Sequence, residues 1–190
     1  MSELYPVFLR FQGRRAVLVG AGRVAATKLP GLLAAGARVR VVAPEVAPEL
    51  ERPEVEIRHG PFVPSDLDGA FFVVAAATPE VNRQVRDAAD ARGIFVNAVD
   101  DAKVASAFLG GVIRKGGVTV AVSTEGRAPA LAGLLREALE KVLPDDVSRW
   151  IELGERVRAG WRENGIPMGA RRPLLLRALL DLYPQLEEAT

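Results

Sequence analysis

Arg15-Ala16-Val17-Leu18-Val19-Gly20-Ala21-Gly22-Arg23-Val24-Ala25 decides the fold, because a short apolar run meets a glycine-rich turn and then a helical pattern. It reads as strand, phosphate loop, helix. Gly20 lets the chain leave the strand in a tight turn, Gly22 lets backbone amides approach a pyrophosphate, and small Ala25 lets the helix pack closely on a sheet. The first amides of that helix have no intrahelical partners, and its positive dipole end faces the turn, so the turn suits an anion. A G-x-G-x-x-A match alone is weak. The context strengthens it: Ala25, Leu29, Leu32 and Leu33 follow at helical spacing, and Gly36 closes the helix before another strand.

Outward from this stretch, strand and helix alternate. Arg38 to Ala43 is a second strand, followed by Pro44-Glu45, and Val55 to His59 alternates with period two as a short third strand. Ala70 to Ala77 is a continuous apolar run of the kind central parallel strands need when both faces are covered. Thr78-Pro79-Glu80 combines an N-cap, proline at the first helical position and an acid in the first turn. Val81, Val85, Ala88 and Ala89 then give a buried helical stripe. Ile94 to Val99 is a further strand ending in Asp100-Asp101. This order predicts an α/β, Rossmann-like, doubly wound parallel sheet with its ligand at the carboxyl ends of the strands. Gly20, Gly22, Arg23, Val24, Pro44, Glu45, Ala76, Thr78 and Asp100 all fall at such ends. Glu45 is the nearby carboxylate that could take ribose hydroxyls, or it is a solvated loop residue. The lack of an arginine just after the second strand leans to NAD over NADP.

Two features fit this frame less well. Pro30 lies inside the first helix, where a missing amide and a ring clash cost about 3 kcal/mol. Tyr5 to Phe11 is a short apolar segment suited to an added strand or a flap near the first turn.

After Asp101 the pattern changes. Ala107-Phe108-Leu109 and Gly111-Val112-Ile113 lead through Arg114-Lys115-Gly116-Gly117, a hairpin-like turn, into the alternating strand Val118 to Val122. A polar loop, Ser123 to Pro129, leads to a strong helix over Ala130–Val142, with Leu131, Leu134, Leu135, Leu139 and Val142 on one face. Two helical patterns follow, over about 147–162 and about 173–183. The expected division is a nucleotide-binding domain over 1–112, a small β-containing dimerisation segment over 113–144, and a helical C-terminal unit over 145–190.

Composition sets the outer limits. The 190 residues are 49% hydrophobic and 26% charged, as in an ordinary soluble globular protein large enough to bury a core. Twenty-five basic residues against 24 acidic leave a net charge of +1, with no bulk field to recruit nucleic acid or an anionic membrane. With no cysteine and one histidine, His59, thiolate and multi-histidine metal sites are excluded and no metal ligand is assigned. The start lacks the basic-then-apolar order of a signal peptide, and the longest uncharged run, Gly69 to Pro79, is too short to span a membrane. A cytoplasmic protein is expected.

The residues that carry chemistry are less legible. Aspartates after a strand are usually turn formers, yet Asp100 and Asp101 stand at a strand end where either could act as acid or base. Here the chain resembles a known family. Tyr5-Pro6-Val7-Phe8-Leu9, Val17 to Ala25 with Lys28, Ala35-Gly36-Ala37, and Val41-Val42-Ala43-Pro44-Glu45 match it in order. So do Val81-Asn82-Arg83, Val96-Asn97-Ala98-Val99-Asp100, Val120 to Thr124, and Pro129-Ala130-Leu131-Ala132. Over about residues 4–145 the sequence is similar to the precorrin-2 dehydrogenases, the N-terminal module of siroheme synthases.

The resemblance implies oxidation of precorrin-2 to sirohydrochlorin with NAD, in siroheme or cobalamin biosynthesis, with some relatives inserting metal afterwards. It also implies a homodimer joined through the segment after the nucleotide domain. By the same resemblance NAD contacts fall on Arg23, Val24, Pro44 and Glu45, and Asp100 is the essential carboxylate. The eight carboxylates of the substrate call for cations and hydroxyl or amide donors. Lys103, Ser106, Arg114, Lys115, Ser123, Thr124 and Arg127 are candidates by location, although each alone is more often a solvated surface group. The chain is expected to lack a methyltransferase domain, with precorrin-2 made by another protein. The rival reading is an NAD-sensing regulatory module without turnover, for which Asp100 would be dispensable.

Overall fold

The computed structural model describes residues 4–99, 101 and 103–183. They form two compact units, one of Met1–Leu109 with Ser123–Ala128, the other of Gly110–Val122 with Pro129–Thr190.

The first unit is built on five parallel strands: β1 (Arg15–Val19), β2 (Arg38–Ala43), β3 (Val55–His59), β4 (Phe72–Ala75) and β5 (Phe95–Ala98). Their spatial order is β3-β2-β1-β4-β5, so the direction of winding reverses between β1 and β4. The registers Val19↔Val42 and Val19↔Ala75 bring the carboxyl ends of three strands level. Helix α1 (Arg23–Ala34) links β1 to β2, and α2 (Pro79–Asp90) links β4 to β5. The other two crossovers contain only short 3-10 turns, Pro48–Leu50 and Pro64–Leu67.

The period-two rule explains the core. Ala16 and Leu18 of β1 pack with Ala25, Leu29 and Leu32 of α1, while Val17 and Val19 pack with Val85, Ala88 and Ala89 of α2. All four strand residues are at most 2% exposed, which is why β1 reads as an unbroken apolar run. Gly36, at φ +81°, ends α1: its amide donates to Leu33 O, and that of Ala37 donates to Leu32 O. Helix α1 continues through Pro30, whose ring sits on the exposed side.

Residues 4–11 contain no strand, contrary to one of the two expectations for them. Tyr5, Val7 and Phe8 are exposed. Phe11 alone is buried, edge-on to Phe71 and Phe72 with ring centroids 5.5 Å apart in each case.

In the second unit β6 (Gly111–Lys115) and β7 (Val118–Val122) form an antiparallel hairpin. Gly116 and Gly117, at φ +51° and +86°, supply the left-handed backbone that a two-residue hairpin turn requires. A side chain at Gly116 would also meet Ser148 N at 2.7 Å. The remaining helices are α3 (Pro129–Val142), α4 (Val147–Glu163) and α5 (Met168–Leu180). Helix α5 starts earlier than the sequence pattern suggests. Pro167, not Pro173, is the proline at its entrance, and Pro173 lies inside. No helix of the described residues is long and apolar enough to cross a membrane.

Candidate functional site

The carboxyl ends of β1, β4 and β5 meet at a cavity of about 310 Å³. Among the described residues it is lined by Val24 from α1, by Ala76, Ala77 and Pro79 after β4, by Asn82 from α2, and by Val99 and Asp101 after β5. It lies at the reversal point of the sheet, where open α/β sheets bind ligands.

Gly20 makes this convergence possible. Its φ is +93°, and a Cβ there would fall on the Ala76 carbonyl, 2.7 Å from its carbon. Only a glycine lets the turns after β1 and β4 approach so closely. Gly22 is different: it is extended, and a Cβ built on it meets nothing within 4 Å. That open space lies at the N-terminus of α1. The helix has no side-chain cap and no acid in its first turn, and its first main-chain bond is Ala26 N to Gly22 O. The amides of Arg23, Val24 and Ala25 are therefore free of main-chain acceptors among the described residues, and Arg23 is exposed beside them. This cradle fits a pyrophosphate: free amides, a positive dipole end, a neighbouring guanidinium, and room that a side chain at residue 22 would fill.

The loop after β2 is fastened next to the cradle by Ala47 N, which donates to Ala21 O at 3.1 Å. Pro44 and Glu45 are both exposed there. On the other side Thr78 caps α2 as the sequence suggests, its Oγ1 accepting from Val81 N at 3.5 Å. Glu80, at the start of the same helix, has its carboxyl held below the usual range, first by its own backbone N–H and then by Thr78 and Arg83.

Asp100 lies outside the described residues. The segment after it is anchored to β5: Ser106 Oγ accepts from Val96 N at 2.8 Å, and Asn97 Nδ2 donates to Ala107 O at 3.0 Å. Asp101 behaves as a turn former, its Oδ1 accepting from Lys103 N and its carbonyl accepting from Val104 N and Ala105 N.

The candidates for substrate contact are divided between the two units, Lys103, Ser106, Ser123, Thr124 and Arg127 in the first and Arg114 and Lys115 in the second. The Ser106 hydroxyl holds the edge of β5, whereas Lys103 is exposed. Ser123 Oγ accepts from Glu125 N, Thr124 Oγ1 accepts from Ala128 N, and Arg127 pairs with Glu125 at 3.2 Å, all within one loop. In the second unit Arg114 is exposed, and Lys115 Nζ is held by Leu143 O and Asp145, each at 2.7 Å. That pairing holds the Asp145 carboxyl below its ordinary range.

Sequence reasoning missed Asn82 as a lining residue. It occupies a position between the apolar stripe residues Val81 and Val85, yet it is 4% exposed, and its Oδ1 accepts from Ala77 N at 3.0 Å. A polar residue beside an apolar helical stripe, just after a strand end, is the signal that could have found it.

The family described as putative NAD(P)-binding matches residues 7–111, and the one described as sirohaem biosynthesis protein central matches 115–141. A siroheme synthase of Chromobacterium violaceum is 42% identical over 175 residues, covering 90% of this chain and 37% of that protein. Siroheme synthase 2 of Aeromonas salmonicida is 44% identical over 159 residues, covering 82% and 33%. The chain thus spans about a third of the length of these relatives. A solved structure described as SirC, precorrin-2 dehydrogenase, shares the fold with a TM-score of 0.69 at 23% identity, covering 92% of this chain and 88% of that one. With more than half of its residues matched, the chain belongs to the putative NAD(P)-binding family, in the form that continues into the sirohaem biosynthesis central segment.

Proposed function

We propose that this chain oxidises precorrin-2 to sirohydrochlorin, with NAD as the hydride acceptor, and that it works in the cytoplasm as a homodimer. The observation that carries the reading is the open cradle at Gly22, which adjoins a cavity lined by both sequence neighbours of Asp100, Val99 and Asp101. The siroheme synthase relatives supply the substrate class.

In this reading the amides of residues 23–25 and the Arg23 guanidinium hold the pyrophosphate. Glu45 accepts from ribose hydroxyls, and its carboxylate disfavours a 2′-phosphate, hence NAD over NADP. Bound there, the dinucleotide supplies a two-electron acceptor for the hydride that the macrocycle loses. The chain's own task is the proton that leaves with it. The Asp100 carboxylate is the group assigned to accept that proton.

The homodimer reading is supported by α3, which leaves Leu131, Leu134, Leu135, Leu139 and Val142 between 42% and 77% exposed. Such a stripe on an otherwise charged helix calls for a partner surface.

The test is anaerobic incubation with precorrin-2 and either NAD or NADP, followed at the absorbance of NADH and of sirohydrochlorin. Turnover is expected, with NAD preferred. Asp100→Ala is expected to slow it by about 10²–10⁴-fold, the usual worth of a general base, with NAD binding unchanged. Dinucleotide binding without turnover in the unmodified chain would instead favour a sensing module.

A further inference from the structure

Asn82 lines the cavity with one half of its carboxamide in use. Its Oδ1 accepts from Ala77 N. That partner is a donor, so the amide cannot be flipped, because the reverse orientation would set NH2 against N–H. Among the described residues Nδ2 donates to nothing, although the residue is 4% exposed and lines the cavity. Nδ2 is not among the fully buried side-chain atoms that lack a partner, which are Arg40 Nε and Arg58 Nε among the described residues. Here the cavity is the place from which an acceptor can come.

Which part of a dinucleotide reaches it follows from the sheet. With the pyrophosphate at the α1 cradle, the ADP half runs toward the end of β2, where Glu45 stands. The nicotinamide half must then run across the reversal point toward β4 and β5. Asn82 is on that second side.

Resting on the reading that the cavity takes NAD, we propose that Asn82 Nδ2 donates a hydrogen bond to an oxygen of the nicotinamide riboside, making Asn82 a specificity residue for that half of the cofactor. Its Oδ1 meanwhile holds the turn after β4 through Ala77. The two roles can be separated. Asn82→Asp keeps an acceptor for Ala77 N and replaces the donor by an oxygen, whereas Asn82→Ala removes both.

Affinities for NADH and for ADP-ribose, which lacks the nicotinamide, are measured on the whole chain by NADH fluorescence and by calorimetry, with thermal melting recorded for each variant. In Asn82→Asp, NADH affinity is expected to fall about tenfold while ADP-ribose affinity stays within about twofold. Should Asn82→Asp fail to fold, the same ratio is read in Asn82→Ala, where a loosened turn would weaken both ligands and a lost donor would weaken NADH more. Equal losses for the two ligands, or no loss for NADH, would overturn the inference and leave dinucleotide binding intact. Failure of the unmodified chain to bind either ligand would remove the functional reading with it.

Discussion

Gly20 and Gly22 stand two residues apart in one turn and are glycines for opposite reasons, so exchanging each for alanine separates folding from binding. At residue 20 an alanine must hold φ at +93°, which costs about 1–2 kcal/mol. Its Cβ also lands on the Ala76 carbonyl, so the turn after β4 must shift, in the range of about 1–3 kcal/mol for overpacking. Reduced freedom of the unfolded chain returns about 0.4–1 kcal/mol. The net is a destabilisation of about 1–4.5 kcal/mol, or a melting temperature lowered by roughly 10 °C at the middle of that range. At residue 22 the backbone is extended and a Cβ meets nothing within 4 Å, so Gly22→Ala should leave the melting temperature within about 2 °C. Its methyl group occupies the space in front of the α1 amides, and NAD affinity should fall at least about tenfold. Urea denaturation with calorimetric NAD titration of both variants reads the two quantities. Equal stability losses, or a Gly22→Ala variant that binds NAD like the parent chain, would refute the account of this turn.

Two further predictions concern residues that are not among those lining the cavity. The Glu56 carboxyl is held below its ordinary range chiefly by a 2.6 Å hydrogen bond from Arg40, so its contribution to stability is present above the unfolded value near pH 4.3 and is lost as pH falls through the lower folded value. Because Glu56 is half exposed, screening limits this to less than about 1 kcal/mol; denaturation of Glu56→Gln at pH 7 and pH 3 should show a cost at the first pH that vanishes at the second. In the second unit, Leu134→Glu puts a charge in the middle of the exposed α3 stripe. Sedimentation velocity is expected to show a shift from dimer to monomer with the helical circular dichroism unchanged, and an unshifted dimer would move the interface elsewhere.

How much of this could be read from residues alone depended on the range of the physics involved. The glycine turn, the Thr78-Pro79 helix start and the twin-glycine hairpin are governed by a residue's own φ preference and by partners within a few positions. The double-sided apolar strands β1 and β4 likewise announce themselves by composition. The helical pattern over about 173–183 set the start of α5 too late, because Pro167 stands at its N-cap and the helix continues through Pro173. Among the candidate cations, Lys115 illustrates the limit: its ammonium is held by Leu143 O and Asp145, whose distance in sequence hides the pairing until α3 folds back on the hairpin.

By itself, then, the sequence determined that a phosphate-binding turn follows an apolar strand, that successive strands with helices after the first and fourth run to Asp101, and that another architecture begins after it. Only the tertiary structure decided that β4, more than fifty residues on from β1, lies directly beside it, so that the Ala76 carbonyl leaves no room for a side chain at Gly20. It also decided that Asn82 turns from the edge of an apolar stripe into a cavity wall. The physical reason is that local propensity and periodicity act over a turn or two of chain, whereas the meeting of strand ends is set by crossovers and by the burial of both sheet faces at once.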